Sequence, residues 1–234
     1  RDFDIPQDWD GREVFINFDG VDSFFYLWIN GQYVGFSKNS RNTASFNITP
    51  YLQKGKNTVA AEVYRSSDGS FLEAQDMFRL PGIFRTVALY STPKVQVRDL
   101  VVIPDLDETY TNGSLAISAD IRNFGKKAAK GYQMAYTLYA NKLYSDENTP
   151  VTNAVASATV NLVNPNETVE AEKAIMNVQS LNKWSAEFPH LYTLVAELKD
   201  KKGKTIETVS TTVGFRKVEI KDTPASADEF GLAG

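Results

Sequence analysis

Two apolar and aromatic runs, Phe24-Phe25-Tyr26-Leu27-Trp28-Ile29 and Gln32-Tyr33-Val34-Gly35-Phe36, are separated only by Asn30-Gly31. Asn-Gly readily takes the positive φ values of a two-residue hairpin turn, so this stretch predicts a β-hairpin and commits the chain to antiparallel sheet. Similar short runs of Val, Ile, Phe, Tyr and Thr recur about every ten residues between Gly, Asn, Asp or Pro, the pattern of an all-β sandwich or barrel. Further strands are expected at 13–18, 58–64 and 86–90. No long stretch has helical period.

Ser91-Thr92-Pro93 marks a boundary, because Pro removes a backbone donor and a new alternating run starts at Val95. The expectation is a sandwich over 1–93, a second sandwich over 94–221 and a tail over 222–234. Strands in the second are expected at 114–122, 132–139, 155–163, 168–176, 193–198 and 205–213, a number that suits an immunoglobulin-like fold. The tail mixes small and polar residues and reads as disordered or as the start of a removed segment.

Composition then removes function classes. The 234 residues carry 25 Lys plus Arg against 29 Asp plus Glu, a net charge of -4, so no basic excess exists to track a phosphate backbone and no nucleic-acid partner is expected. With no Cys and a single His, His190, there is no disulfide framework, no thiolate and no His-rich zinc site. Acid-base work falls to carboxylates. No apolar run reaches membrane-spanning length and Arg1-Asp2-Phe3-Asp4 is not a signal peptide, so no membrane partner is expected and the compartment is undetermined.

The densest polar cluster is the stretch 66–79, which carries Asp68, Glu73 and Asp76 with Gln75 and Arg79 and is too long for a simple turn. Long ordered loops often line sites. The competing expectation is a solvated connection in which Arg79 pairs with Glu73 or Asp76. Trp9, Trp28 and Trp184, with Tyr26, Tyr33, Phe36 and Phe78, offer a sugar-stacking platform, although aromatics at alternating strand positions are more often core. His190, beside Pro189, is expected to be structural or exposed. Sequons at Asn47, Asn112 and Asn166 matter only in a secreted eukaryotic chain. By themselves these features reach no further than a binding or accessory module.

Particular strings carry a resemblance. Phe18-Asp19-Gly20-Val21-Asp22-Ser23, Leu27-Trp28-Ile29-Asn30-Gly31, Val34-Gly35-Phe36-Ser37 and Ser40-Arg41 resemble the sugar-binding domain of glycoside hydrolase family 2. The stretch from Ser67 to Arg79, with Gly82-Ile83-Phe84-Arg85, looks like its β-galactosidase branch. Trp184-Ser185-Ala186-Glu187, Pro189, Leu191, Tyr192 and Val213-Gly214-Phe215-Arg216 are similar to the end of that family's immunoglobulin-like second domain. The resemblance covers roughly Arg1 to Asp222.

It implies an all-β chain, a jelly roll lacking its first strands followed by an immunoglobulin-like sandwich. The family's (β/α)8 barrel with two catalytic glutamates is not expected here, since such a barrel needs about 250 residues. The implied parent reaction is retaining hydrolysis of terminal β-galactosides, with no catalytic residue in this chain and no activity of the chain alone. By resemblance, Asp76 matches an acidic residue that binds galactose and a sodium ion, and Asp22 matches a sugar-contacting position that is often Asn. Magnesium is expected only on the barrel. The implied partners are a β-galactoside and the barrel of the same chain, and a homo-oligomer of the longer protein stays open.

The sequence departs from the family at Ser66 and Phe78, where Trp is common, at Ala74, where Asp is common, and at Pro81, which replaces a small residue. Two alternatives stand beside this reading. One is a sibling β-glucuronidase or β-mannosidase, against which Glu73-Ala74-Gln75-Asp76-Met77 argues. The other is a free-standing carbohydrate-binding or structural sandwich.

Overall fold

The computed structural model describes residues 1–73, 76 and 79–219. They divide into two compact units. The first comprises Arg1–Gln96 with Arg122–Ala129 and Val163–Thr168; the second comprises Val97–Ile121, Lys130–Leu162 and the described residues from Val169 onward.

The first unit is a jelly-roll type of sandwich. Its strands are β1 (Asp2–Phe3), β2 (Glu13–Phe18), β3 (Val21–Asp22), β4 (Phe24–Ile29), β5 (Gln32–Ser37), β6 (Ala44–Asn47), β7 (Asn57–Tyr64), β8 (Gly82–Ile83) and β9 (Val87–Thr92). One sheet has the order β1-β7-β4-β5, a second β6-β2-β9, and β3 pairs with β8 apart from both. The predicted hairpin is β4-β5, with Ile29 opposite Gln32. Asn30 and Gly31 both have positive φ, 50° and 76°, as the turn requires.

Because successive strand residues face opposite sides, β4 sends Phe25, Leu27 and Ile29 into the core and Phe24, Tyr26 and Trp28 outward. The inner set packs with Val14, Ile16 and Phe18 of β2 and with Ile48. The outer set joins Tyr33, Phe36 and Tyr64 in a layer of mostly edge-to-face rings.

The later strands are β10 (Val95–Leu106), β11 (Gly113–Asn123), β12 (Tyr132–Asn141), β13 (Asn148–Val160), β14 (Thr168–Glu170), β15 (Ala174–Val178), β16 (Tyr192–Lys199) and β17 (Thr205–Val213). One sheet runs β10-β11-β14, with β15 also paired to β11, and the other β13-β12-β16-β17, an immunoglobulin-like arrangement. Strict alternation buries Leu115, Ile117, Ala119 and Ile121 on β11 against a core that includes Met134, Tyr136, Leu138, Leu194, Leu198 and Phe215. The expected strand over 168–176 is two strands, interrupted where the Ala171 amide donates to the Ala119 carbonyl. The expected start at 155 lies too late: β13 begins at Asn148, because its pairing with β12 continues through a register shift to Asn141↔Asn148.

Candidate functional site

The stretch after β7 holds a single helical turn, α1 (Asp68–Leu72), where no helix is expected from periodicity. Its ends explain it. The Ser67 amide donates to Ser70 Oγ at 2.9 Å and the Ser70 amide donates to the Ser67 carbonyl at 3.1 Å, while Asp68 places a carboxylate in the positive first turn. The Asp68 carboxyl is held below its usual range, first by the hydrogen bond from Lys38 and then by the Gly69 amide. Both side chains of that 3.0 Å ion pair are exposed, so it contributes little to stability.

Serine hydroxyls fasten this turn to the sandwich. Ser23 Oγ lies 2.8 Å from Ser67 Oγ and 2.7 Å from Ser70 Oγ. Ser23 follows Asp22 at the end of β3, and the peptide between the two is cis. On the other side of β3, Asp22 is opposite Gly82 and Val21 opposite Ile83. Close packing at this corner excludes a side chain at Gly20, where a Cβ would lie 2.7 Å from the Phe84 ring. The guanidinium groups of Arg41 and Arg85 also pack on that ring, 5.2 and 5.3 Å from its centroid.

Beside the serines lies a second polar set. Ser40, 1 % exposed, places its Oγ 3.1 Å from Asp22 Oδ1 and 2.5 Å from Glu73 Oε2, so one hydroxyl hydrogen serves two carboxylates. The Ser40 amide also donates to Glu73 Oε1 at 3.3 Å. Glu73 is fixed from its own side, since its amide donates to the Gly69 carbonyl at 2.9 Å. Asp22 is 4 % exposed, and among the described residues its Oδ2 takes no hydrogen bond. Asp76 is exposed and makes no ion pair or hydrogen bond among the described residues.

The structure therefore brings Asp22 together with Ser40 and Glu73, while no described contact joins it to Asp76. Sequence reasoning singled out neither Ser40 nor the role of Glu73. Their only signal was membership of the strings Ser40-Arg41 and 67–79, because the link between them is formed across the fold. Arg79 forms no ion pair with Glu73 or Asp76 among the described residues, and the Glu73 carboxylate accepts from Ser40 instead.

Of the departures, Ser66 and Pro81 are exposed, while Ala74 and Phe78 lie outside the described residues. The aromatic expectation divides. Tyr26, Trp28, Tyr33 and Phe36 share the outer layer, Trp9 packs on the first core, and Trp184 lies under Arg216 in the second unit. His190 is half-buried and stacks on Phe188.

Carboxylates accept hydrogen bonds from sugar hydroxyls and ligate hard cations through oxygen. Among the described residues no group of three or more His, Cys, Asp or Glu converges on a metal-sized space. A cavity of about 670 Å³ between the two sheets of the first unit, lined by residues such as Phe3, Ile16, Phe18 and Leu89, is mostly apolar. Its one carboxylate, Asp2, is paired with Lys56. The polar corner at Asp22, Ser40 and Glu73 is the better candidate for recognising a polar ligand.

Known proteins resemble both parts of the chain. Residues 1–93 match the family model described as the sugar binding domain of glycosyl hydrolases family 2, and residues 95–216 match the model described as glycosyl hydrolases family 2. A β-galactosidase of Priestia megaterium is 45 % identical over 95 % of this chain and 21 % of its own length. One from Halalkalibacterium halodurans is 37 % identical over 93 % of the chain and 20 % of its own length. The chain thus spans about a fifth of these curated relatives. A β-glucuronidase structure from Bacteroides uniformis superposes with a TM-score of 0.80 at 22 % identity, over 93 % of this chain and 26 % of that one. A β-glycosidase from Bacteroides vulgatus gives 0.75 at 23 %, over 94 % and 26 %. At such identities the structural likeness shows the fold.

Proposed function

The chain belongs to glycosyl hydrolase family 2, and on that premise we propose that it is the non-catalytic part of a retaining β-galactosidase, one wall of whose galactose pocket it supplies. The observation that carries this reading is the match of two β-galactosidase relatives along more than nine-tenths of the chain. In the proposed whole protein, hydrolysis of terminal β-galactosides is performed by two carboxyl groups of a barrel beyond these residues, one as nucleophile and one as acid and then base. This chain alone is inactive in that scheme, and it supports the barrel.

Within the wall, Asp76 offers an exposed carboxylate to a sugar hydroxyl. Asp22 offers Oδ2, its Oδ1 being committed to Ser40. A sodium ion suits Asp76 as one hard oxygen ligand, with the other ligands coming from elsewhere, and it would screen that carboxylate beside a bound sugar. Magnesium is assigned to the barrel in this proposal.

Changing Asp76→Ala in the complete protein tests the wall. The expected result is a KM for o-nitrophenyl β-galactoside raised about tenfold, as loss of a charged hydrogen bond implies, with a weaker response to sodium. Identical kinetics for the variant and the parent across a sodium titration would remove Asp76 from the site.

A further inference from the structure

We infer that Glu73 is a positioning residue for the sugar-binding carboxylate Asp22, acting through the buried hydroxyl of Ser40. The inference rests on the reading of Asp22 as part of the pocket wall. Ser40 is held twice by Glu73, through its amide to Oε1 and its hydroxyl to Oε2, and the same Oγ is 3.1 Å from Asp22 Oδ1. A carboxylate buried to 4 % exposure has few ways to be oriented. Of the described groups, Ser40 is the one that hydrogen-bonds the Asp22 side chain. Whatever fixes the Ser40 hydroxyl therefore fixes the direction in which Oδ2 is presented.

Glu73 suits that task because it is fixed independently. It follows α1 directly, its amide is bonded to Gly69, and α1 is fastened through Ser67 and Ser70 to Ser23, the residue after Asp22. A closed circuit results: Asp22 to Ser40, Ser40 to Glu73, Glu73 through the helical turn to Ser23, and Ser23 back to Asp22 through the chain. Such buried, mutually supporting hydrogen bonds restrict a group more than a single bond does.

The test uses the complete protein and o-nitrophenyl β-galactoside, with variants Glu73→Ala, Glu73→Gln, Ser40→Ala, Asp22→Ala and the double Asp22→Ala/Glu73→Ala. Glu73→Ala and Ser40→Ala are expected to raise KM about tenfold while kcat changes less than about threefold, the pattern of lost ground-state binding. Glu73→Gln, whose amide oxygen still accepts from Ser40, should restore most of the loss. The double variant should be no worse than Asp22→Ala alone, because residues acting through one contact are not additive. Thermal melting of each variant separates positioning from a general loss of fold, and Ser40→Ala carries the test if Glu73→Ala does not fold. A raised KM in Asp22→Ala with none in Glu73→Ala or Ser40→Ala would overturn the inference and leave the pocket wall standing. Full additivity of Asp22→Ala and Glu73→Ala would likewise overturn it. An unchanged KM in Asp22→Ala would instead remove Asp22 from the wall, and the inference with it.

Discussion

Asn30 Nδ2 donates a hydrogen bond to Asn57 Oδ1 at 2.8 Å, tying the β4-β5 turn to the start of β7. Asn57 is fully buried and uses its whole amide: Oδ1 also accepts from the Gln53 amide, and Nδ2 donates to the carbonyls of Gln53 and Gly55. Asn30 is equally committed, with its Oδ1 accepting from the Thr58 amide and Nδ2 also reaching the Tyr51 carbonyl. Asn57→Ala strands these partners and is expected to cost about 2–3 kcal/mol in urea denaturation of the first unit. A cost below about 0.5 kcal/mol would show that the junction is held by its apolar neighbours.

Asn57 illustrates what the sequence alone could and could not convey. The hairpin was legible because Asn30-Gly31 carries both turn chemistry and spacing, and strands β2, β4 and β17 fall where alternation places them. Asn57, by contrast, reads only as a turn residue: its bonds to Gln53 and Gly55 are local to that turn, and its partner Asn30 is set by where β7 starts relative to β4. The helical turn at 68–72 is too short for periodicity, and its caps are serines that serve loops as readily. The start of β13 was hidden because Asn148-Thr149-Pro150 has loop composition and is strand only through its pairing with β12. Of the candidate site, Asp22 and Asp76 are proposed on resemblance, whereas the Asp22-Ser40-Glu73 contact joins segments 18 and 33 residues apart and leaves no local pattern.

In the second unit Tyr136 is buried with a hydroxyl that has no hydrogen-bond partner among the described residues, and burial pushes its pKa up to about 12. A phenol whose pKa is raised on folding stabilises fully below the ordinary value of 10.0 and loses that contribution as pH rises toward about 12. Tyr136→Phe is therefore expected to be neutral or stabilising by up to about 1.5 kcal/mol at pH 7, and to flatten the alkaline fall in stability. Destabilisation beyond about 1 kcal/mol at pH 7 would mean that the hydroxyl is satisfied.

Asp107 shows the opposite shift. Burial raises its pKa, but hydrogen bonds from Asn112, Thr109 and the Thr111 and Asn112 amides outweigh that and bring it to about 2. The stabilisation belongs to the ionised form, so it is present above the ordinary 3.8 and lost as pH falls through about 2. Asp107→Asn should lower the melting temperature at pH 7 and lose that deficit progressively as melts are taken from pH 4 down to pH 2. A deficit independent of pH would assign the loss to the turn's geometry.

Gly113 has no room for a side chain. A Cβ there would lie 2.6 Å from Leu181, 2.7 Å from the Asp105 carbonyl and 2.8 Å from Phe215, which is fully buried. Gly113→Ala is expected to cost about 2 kcal/mol or more in chemical denaturation of the second unit, as overpacking of a filled core does. A neutral result would mean that Leu181 and the β10 backbone yield at little cost.

We propose the chain as the sugar-facing, non-catalytic part of a family 2 β-galactosidase. The most direct measurement is hydrolysis of matched aryl β-galactoside, β-glucuronide and β-mannoside by the complete protein, with the 234-residue chain assayed alone beside it. The predicted result is turnover of the β-galactoside by the complete protein and none by the chain. Preference for the glucuronide or mannoside, or turnover by the chain alone, would contradict it.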